Sequence, residues 1–202
     1  LPAGAAAITF DDGYADNLHC ALPILQRHGA CATLFVATGF LDGGCMWNDR
    51  VIESVRLTTK DALELPGLLE QPARLGDLAN RRAVMHSLIA RIKYLPPAER
   101  LPAVEQVVQA ARISLPRDLM LTRDELRQWQ AAGQQVGAHT VNHPILASLD
   151  AANARQEVAQ GRIELESILD RPVSMFAYPN GRPGIDYLPE HVAMIHNLGF
   201  ET

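Results

Sequence analysis

The stretch that decides the fold is AAAITFDDGYADNLHCALPILQRHGACATLFVA, residues 5–37. Its first apolar run, Ala5 to Phe10, ends in Asp11-Asp12-Gly13, a pattern typical of a buried strand followed by a turn. Leu18 to His28 has apolar residues at helical spacing and stops at a glycine, and Ala32 to Ala37 is a second apolar run. A strand, a helix and a strand in this order predict one right-handed βαβ unit with parallel strands.

The alternation of helices and strands returns in the last third of the chain. Thr122 precedes a predicted helix to Ala132, and Glu125 completes a capping-box pattern with it. The remaining predicted elements are a strand at Gln135 to Ala138, a helix at Asp150 to Leu169, a strand at Val173 to Ala177 and a helix at Leu188 to Leu198. Continuously apolar strands predict burial on both faces of a parallel sheet, as a barrel or a doubly wound α/β fold.

The middle of the chain, at about 42–121, is predicted to be a helical insertion. Its helices are expected at Trp47 to Leu57, Leu78 to Tyr94 and Pro97 to Ile113. With 202 residues, 48% of them hydrophobic, the chain is long enough for one substantial core. We therefore expect a single domain over residues 1–202.

Composition excludes several function classes. A net charge of −5 and a pI near 5.8 argue against nucleic acid as a partner, because such binding requires clustered cationic side chains. No apolar run approaches the length of a membrane span. Three cysteines without CxxC spacing predict buried thiols rather than disulfides or a thiolate metal site: Cys20, Cys31 and Cys45.

Polar residues follow three predicted strands, where active sites of parallel α/β folds lie. Asp11 and Asp12 follow the first strand, His139 and His143 follow a later one, and the segment 176–181 follows the last. Two adjacent carboxylates repel one another, and a divalent cation relieves that repulsion. One carboxylate then binds the metal while the other accepts a proton from water. Taken alone, Asp-Asp-Gly is also an ordinary turn sequence.

The two histidines are four residues apart, a spacing often used by zinc but also common by chance on a surface. Pro144 disfavours a helix at His143 and predicts a loop. If Asp12, His139 and His143 converge, three protein ligands leave coordination positions for water and substrate, as in catalytic zinc sites.

The segments TFDDGY at 9–14 and HTVNHP at 139–144 resemble the first two motifs of the polysaccharide deacetylase (NodB-homology, carbohydrate esterase) family. The resemblance implies a distorted or incomplete (β/α) barrel and removal of N-acetyl or O-acetyl groups from a glycan. It also implies Asp11 as general base, Asp12, His139 and His143 as metal ligands, and a hydroxyl on Thr140 that supports the metal loop. A surface or capping hydroxyl at Thr140 is the alternative.

The implied cofactor is a divalent metal. Zinc suits two imidazoles and a carboxylate, although cobalt, nickel or manganese use the same ligands. The implied partner is an acetylated glycan, and the resemblance associates the family with the cell envelope. Two alternatives stay open: a hydrolase of a non-sugar amide, and a noncatalytic glycan-binding domain that keeps the ligands.

The third segment departs from the commonest family form. Ala177 stands where many members have an arginine that orients the base, and Asn180 stands where they have a tyrosine. A backbone N–H at Asn180, in the segment with Tyr178 and Pro179, is the candidate oxyanion donor. Arg182 is a candidate to orient Asp11, with a solvated loop arginine as the alternative.

Two aromatic residues are candidate substrate contacts. Tyr14 follows the acidic pair and is expected to line the substrate groove or to pack beneath it. Trp47 is a candidate to stack on a sugar ring, with a half-buried tryptophan beside a helix cap at Asn48 as the plainer interpretation.

The family's general acid comes from a histidine in a late Leu-x-His motif, which does not occur before Thr202. We therefore expect the acid beyond Thr202, an incomplete site in this fragment, and loss of a native N-terminus before Leu1. The remaining histidines are expected on the surface: His19, His28, His86, His191 and His196.

Overall fold

The fold was analysed in a computed structural model that describes residues 4–201. Leu1 and Thr202 lie outside the described residues. The expectations of a native N-terminus before Leu1 and a general acid beyond Thr202 therefore stay predictions. The chain forms two compact units, one built from residues 1–44 and 117–202 and the other from residues 45–116. That residues 1–202 act as one domain stays a prediction.

The elements are short strands and longer helices. The strands are β1 (Ile8–Phe10), β2 (Ala32–Val36), β3 (Ala62–Leu63), β4 (Ala73–Arg74) and β5 (Gln135–Ala138). The helices are α1 (Leu22–Arg27), α2 (Trp47–Leu57), α3 (Leu78–Ile92), α4 (Pro97–Ala111), α5 (Arg123–Ala131), α6 (Ala151–Leu169) and α7 (Pro189–Asn197). A π-helical turn at Asn17–Ala21 precedes α1. The helix predicted at Leu18 to His28 is therefore π-helical in its first part and α-helical in its second.

The first unit is built on a parallel sheet in the order β1-β2-β5. Phe10 is in register with Leu34, and Val36 with Ala138, so the carboxyl ends of all three strands lie at one edge. Among residues 4–201 the sheet does not close into a barrel. The predicted α/β class and the incomplete form of the barrel are both confirmed.

The predicted strand at Val173 to Ala177 is reduced to a single bridge between Phe176 and Ala138. The N–H of Ala138 donates to the carbonyl of Met175 at 2.8 Å, and the N–H of Ala177 donates to the carbonyl of Ala138 at 3.0 Å. The segment therefore runs beside β5 over a short length. This pairing places its carboxyl end next to that of β5.

Burial of β1 on both faces is a wrong prediction. Residues 5–9 are exposed, and Ile8 keeps 40% of its accessible surface. Within the described residues β1 is an edge strand that pairs with β2 alone, whereas the inner strand β2 is buried along most of its length. Position in the sheet decides this difference, and the apolar run itself does not encode it.

The helices that flank the sheet begin where local signals place them. Thr122 and Glu125 form a reciprocal capping box at the start of α5, as predicted. Asp150 caps α6 by accepting from the N–H of Asn153 at 2.8 Å. Apolar side chains of these helices join the strands in one core around Leu34, Trp129 and Leu165.

The second unit is a helical group with its own core. Helices α2, α3 and α4 bury Val51, Val55, Leu88, Ile92 and Val104, and β3 and β4 form a small antiparallel pair. All three predicted helices are present, and α2 has the predicted bounds.

The thiols are a further correction. Cys20 and Cys31 are exposed and Cys45 is intermediate, so the prediction of buried thiols is wrong. Burial depends on which helix or loop face the residue occupies, and a single cysteine in the sequence does not specify that face. None of the helices within residues 4–201 has the length and apolar character needed to cross a bilayer.

Candidate metal centre

The candidate site lies at the carboxyl edge of the parallel sheet. Asp12 follows β1 by two residues, and His139 follows β5 directly. The N–H of His139 donates to the carbonyl of Val36, and the N–H of Ala37 donates to the carbonyl of Asp12. These bonds tie both segments to the end of β2, so strand pairing brings the acidic and imidazole side chains together.

Asp12, His139 and His143 offer one ligand atom each, and the three atoms lie within 4.8 Å of one another. Oδ1 of Asp12 is 3.5 Å from Nε2 of His139 and 3.3 Å from Nε2 of His143. Ligand atoms bound to one zinc ion at roughly 2.0–2.1 Å in tetrahedral geometry are separated by about 3.3 Å. The donor types and the two distances from Asp12 therefore fit a small divalent cation.

Backbone conformation contributes to this convergence. Asp12, Thr140 and His143 have φ angles of 73°, 69° and 51°, in the left-handed region that residues other than glycine seldom adopt. For the β-branched Thr140 this conformation is a clear outlier. His143 is consequently in a loop, as Pro144 predicts, and the two imidazoles do not share a helical face.

His139 is held in one orientation. Its side chain is 2% exposed, and Nδ1 lies 2.8 Å from the carbonyl oxygen of Ala177. A carbonyl accepts only, so Nδ1 carries the proton and Nε2 presents its lone pair to the site. Burial lowers the pKa of His139, opposed by the bond to Ala177 and by the charge of Asp11. The neutral form that a metal requires is therefore favoured.

Thr140 supports the loop between the histidines. Its hydroxyl donates to the carbonyl of His139, and its oxygen accepts from the N–H of His143 at 3.0 Å. Thr140 is fully buried, so its side chain is not a surface hydroxyl. This internal bonding replaces hydrogen bonds that a regular strand or helix would supply.

The two other polar candidates near β1 have different surroundings. Asp11 is exposed, and its negative charge opposes the lowering of the His139 pKa. Tyr14 is half-buried and forms an antiparallel bridge with Met120. Its backbone is fixed by neighbouring bonds from Ala15 to Leu119 and from Leu121 to Gly13.

The residues of the third segment differ in burial and in backbone conformation. Tyr178 stacks on Tyr187 with ring centroids 3.9 Å apart, and burial raises the pKa of its hydroxyl. Pro179 is buried, whereas Asn180 is exposed with a φ of 64°. Asn180 therefore lies in a tight turn near the end of the segment.

Arg182 has a partner that the sequence did not single out. Its backbone N–H and its Nε both donate to Oδ2 of the fully buried Asp186 at 3.1 Å. Residues 182–186 are not helical, so their spacing of four positions gives no sequence signal for this pair. The bond fixes the loop that follows Asn180.

Trp47 lies in the second unit, at the first position of α2. It is half-buried against that unit's core, and the guanidinium of Arg100 lies 5.6 Å from its ring. The helix begins after Met46, which makes no side-chain cap, so the interpretation of Asn48 as a cap is wrong.

One of the remaining histidines is not on the surface. His191 is buried, and its Nδ1 accepts from the N–H of Leu188 at 2.9 Å, at the start of α7. An acceptor at this third helical position can be recognised in sequence when it is Glu or Gln, as in a capping box, and histidine gives no such signal. The others are exposed, as predicted: His19, His28, His86 and His196.

Comparison with known families decides the assignment. The sequence profile described as "Polysaccharide deacetylase" matches residues 1–202. The chain belongs to the polysaccharide deacetylase family. The predicted resemblance is confirmed, and no curated protein matches the chain at a significant level.

Solved structures share the family fold. The deacetylase PplD of Streptococcus pyogenes, in complex with acetate, is 19% identical, with a TM-score of 0.56 over 99% of this chain. IcaB from Ammonifex degensii is 18% identical, with a TM-score of 0.56 over 99% of the chain. The deacetylase domain of BpsB from Bordetella bronchiseptica is 15% identical, with a TM-score of 0.51 over 95% of the chain. At these identities the likeness concerns the fold.

The matched proteins are longer than this chain. The polysaccharide deacetylase chain spans 55% of PplD, 59% of the IcaB structure and 60% of the BpsB domain.

Proposed function

We propose that this polysaccharide deacetylase is a metal-dependent hydrolase that removes N-acetyl or O-acetyl groups from a polysaccharide or oligosaccharide. The observation that supports this most is the convergence of Asp12, His139 and His143 within 4.8 Å. Their order along the chain matches the family motifs, and their spacing fits one divalent cation.

Asp12, His139 and His143 would hold the metal, with zinc as the preferred ion and cobalt, nickel or manganese as alternatives. When bound, a divalent cation lowers the pKa of coordinated water and polarises an acyl carbonyl. The protonated Nδ1 of His139, bonded to Ala177, keeps Nε2 in the form that binds metal. Three protein ligands leave positions for water and for the acetyl group.

Asp11 is the proposed general base. It is exposed next to a ligand residue and is not one of the three converging donors. Its carboxylate can therefore accept the proton of the attacking water without leaving a metal. A second carboxylate beside the ligand group has no role in metal binding itself, and this favours catalysis over binding alone.

A backbone N–H at Asn180, in the third segment, is the proposed oxyanion donor. Asn180 is an exposed residue in a left-handed turn and follows the buried Pro179. A backbone N–H there would stabilise the negative charge that develops on the acyl oxygen. The pairing of Arg182 with Asp186 fixes the following loop, so Arg182 is proposed to support this segment.

The proposed substrate is an acetylated glycan. Tyr14 is close in sequence to the acidic pair, and Tyr178 is half-buried in the third segment and stacked on Tyr187; both are candidate substrate contacts. Trp47 belongs to the second unit, and its stacking on a sugar ring stays a prediction of the sequence. A chain with net charge −5 suits a neutral or cationic glycan better than a polyanion.

The test measures acetate release from N-acetylglucosamine oligomers by the full-length protein, with chelator and with added zinc. We expect release that chelator abolishes and zinc restores. Asp11→Asn should lower kcat by at least about a hundredfold, because general-base catalysis contributes roughly 10²–10⁴-fold, and it should leave bound zinc unchanged. Asp16→Asn, at an exposed aspartate at the start of the helical turn that follows Tyr14, is the matched control and should retain activity.

Three other outcomes would count against the proposal. Glycan binding without acetate release would favour the noncatalytic domain. Hydrolysis of a non-sugar amide without acetate release from the glycan would assign the same site to another substrate class. Full activity of Asp11→Asn would remove Asp11 from the base role.

A further inference from the structure

The loop that carries the two histidines packs on one face of α6. Glu157, Gly161 and Glu164 lie four and three positions apart, so their side chains share a stripe of that helix. Each of the three meets the loop or the segment that pairs with it. The three proposed metal ligands themselves lie outside the helices and strands.

Glu157 binds the middle of the loop. Its Oε2 accepts from the backbone N–H of Val141 at 3.1 Å and from that of Asn142 at 2.8 Å. Its Oε1 accepts from the side-chain amide of Asn142 at 2.8 Å. Hydrogen bonds to a carboxylate are about twice as strong as neutral ones, and these three join residues between His139 and His143.

Gly161 allows the close approach of the helix. A Cβ at this position would lie 2.9 Å from both the carbonyl carbon and the carbonyl oxygen of Thr140. Any other residue would therefore displace either α6 or the backbone that follows His139. This observation is independent of the bonds made by Glu157.

A short segment after β2 completes the support. The N–H of Thr38 donates to the carbonyl of Thr140 at 3.2 Å, and the N–H of Gly39 donates to that of Val141 at 2.9 Å. The hydroxyl of Thr38 in turn donates to Glu164 on the same face of α6. The loop is thus bonded on two sides while Thr140 and His143 stay in left-handed conformations.

We infer that Glu157 is a positioning residue that holds the segment His139 to His143 in its metal-binding conformation, with Gly161 giving the helix the close approach this requires. The inference rests on the proposed metal site for its functional consequence. The positioning itself concerns only groups within this chain. Strained backbone persists only when surrounding contacts determine it, and Glu157 supplies three such contacts.

The first measurement is hydrogen exchange of the Val141 and Asn142 amides in the metal-free protein, read by NMR. Glu157→Ala should speed both by at least about tenfold, because bonds to charged groups contribute roughly 1.5–3 kcal/mol. Glu157→Gln keeps one accepting oxygen and should stay within about threefold of the wild type. Gln156→Ala, at the exposed neighbouring position of α6, is the matched control and should change neither amide.

The second measurement is cobalt affinity by chelator competition, with the absorption spectrum of the bound ion as a report on ligand geometry. Glu157→Ala should weaken affinity by about 10–100-fold, the effect usual for groups that orient metal ligands. Gly161→Ala should also weaken affinity, although alanine favours a helix over glycine. Urea denaturation of each metal-free variant separates this loss from unfolding.

The outcomes distinguish the two proposals. Unchanged amide exchange in a folded Glu157→Ala variant would overturn the positioning role, whatever the metal result. Wild-type protein that binds no cobalt would overturn the proposed function, while the exchange data would still decide the role of Glu157. Faster exchange with unchanged cobalt affinity would reject the link between this loop and metal binding.

Discussion

Nδ1 of His139 lies 2.8 Å from the carbonyl oxygen of Ala177. This contact joins the loop after β5 to the third segment, and it selects the tautomer whose Nε2 faces Asp12. The partner is a backbone atom, so replacing the family's arginine by Ala177 leaves the contact available. The bond therefore links two parts of the candidate site that the sequence treats as separate motifs.

Stability of the metal-free protein should depend on pH through His139. Burial lowers its pKa in the folded state, so the unfolded chain binds more protons below about pH 6.5. Its contribution to the free energy of unfolding is therefore lost as pH falls from the unfolded pKa toward the folded one. Urea denaturation at pH 5–8 should show that the wild type has a higher free energy of unfolding than His139→Gln. This difference should decrease as the pH falls. An advantage independent of pH would contradict the direction of the shift.

Substitution of Gly13 should destabilise the protein more than substitution of another left-handed glycine. Gly13 has a φ of 99°, and a Cβ there would lie 3.2 Å from Cγ1 of Val36. Gly29 has a φ of 61° with open space around it, so Gly29→Ala isolates the backbone cost of about 1 kcal/mol. Gly13→Ala should cost about 2–3 kcal/mol by urea denaturation, since contact strain adds to that cost. Equal losses in the free energy of unfolding for Gly13→Ala and Gly29→Ala would show that Val36 moves aside without a measurable cost.

The capping box of α5 should contribute measurably to stability. Thr122 accepts from the N–H of Glu125, and Glu125 accepts from the N–H of Thr122. Thr122→Ala should lower the free energy of unfolding by about 1 kcal/mol, whereas Thr122→Ser keeps the acceptor and should lose little. Chemical denaturation of both variants measures the difference. Equal stabilities for alanine and serine would mean that the hydroxyl contributes nothing.

The three thiols should differ in reactivity. Burial and the nearby Asp49 raise the pKa of Cys45 to about 11, whereas Cys20 and Cys31 are exposed. Only the thiolate alkylates, so Cys45 should react most slowly with iodoacetamide at pH 8. Its rate should continue to rise toward pH 11. Mass spectrometry of peptides from timed reactions measures each site, and equal rates at pH 8 would contradict the expected order.

Much of the secondary structure follows from local sequence. The bounds of α2 and β5 agree with the predictions, and the capping box is found at the predicted start of α5. These elements depend on residues a few positions apart, whose hydrogen bonds form within one turn or one run. The weak strand near Phe176 was predicted longer than it is, because its pairing with β5 depends on distant chain.

Burial was harder to predict than secondary structure. Ile8 is exposed in an apolar strand, whereas His191 is buried in a helix that was expected to present it to solvent. Each outcome depends on which neighbours cover the residue, and those neighbours are remote in sequence. The sequence gives no signal for the contacts of Glu157 for the same reason, since a glutamate in an amphipathic helix normally faces water.

By itself, the sequence determined the donors and their places: Asp11 and Asp12 after one strand, and His139 and His143 after another. Tertiary structure decided that Asp12 and the two imidazoles meet, that Nε2 of His139 is the atom presented, and that α6 supports the loop between them. Residue type is a local property of the chain. The distance between groups far apart in sequence is set by strand pairing and helix packing, which only the folded chain establishes.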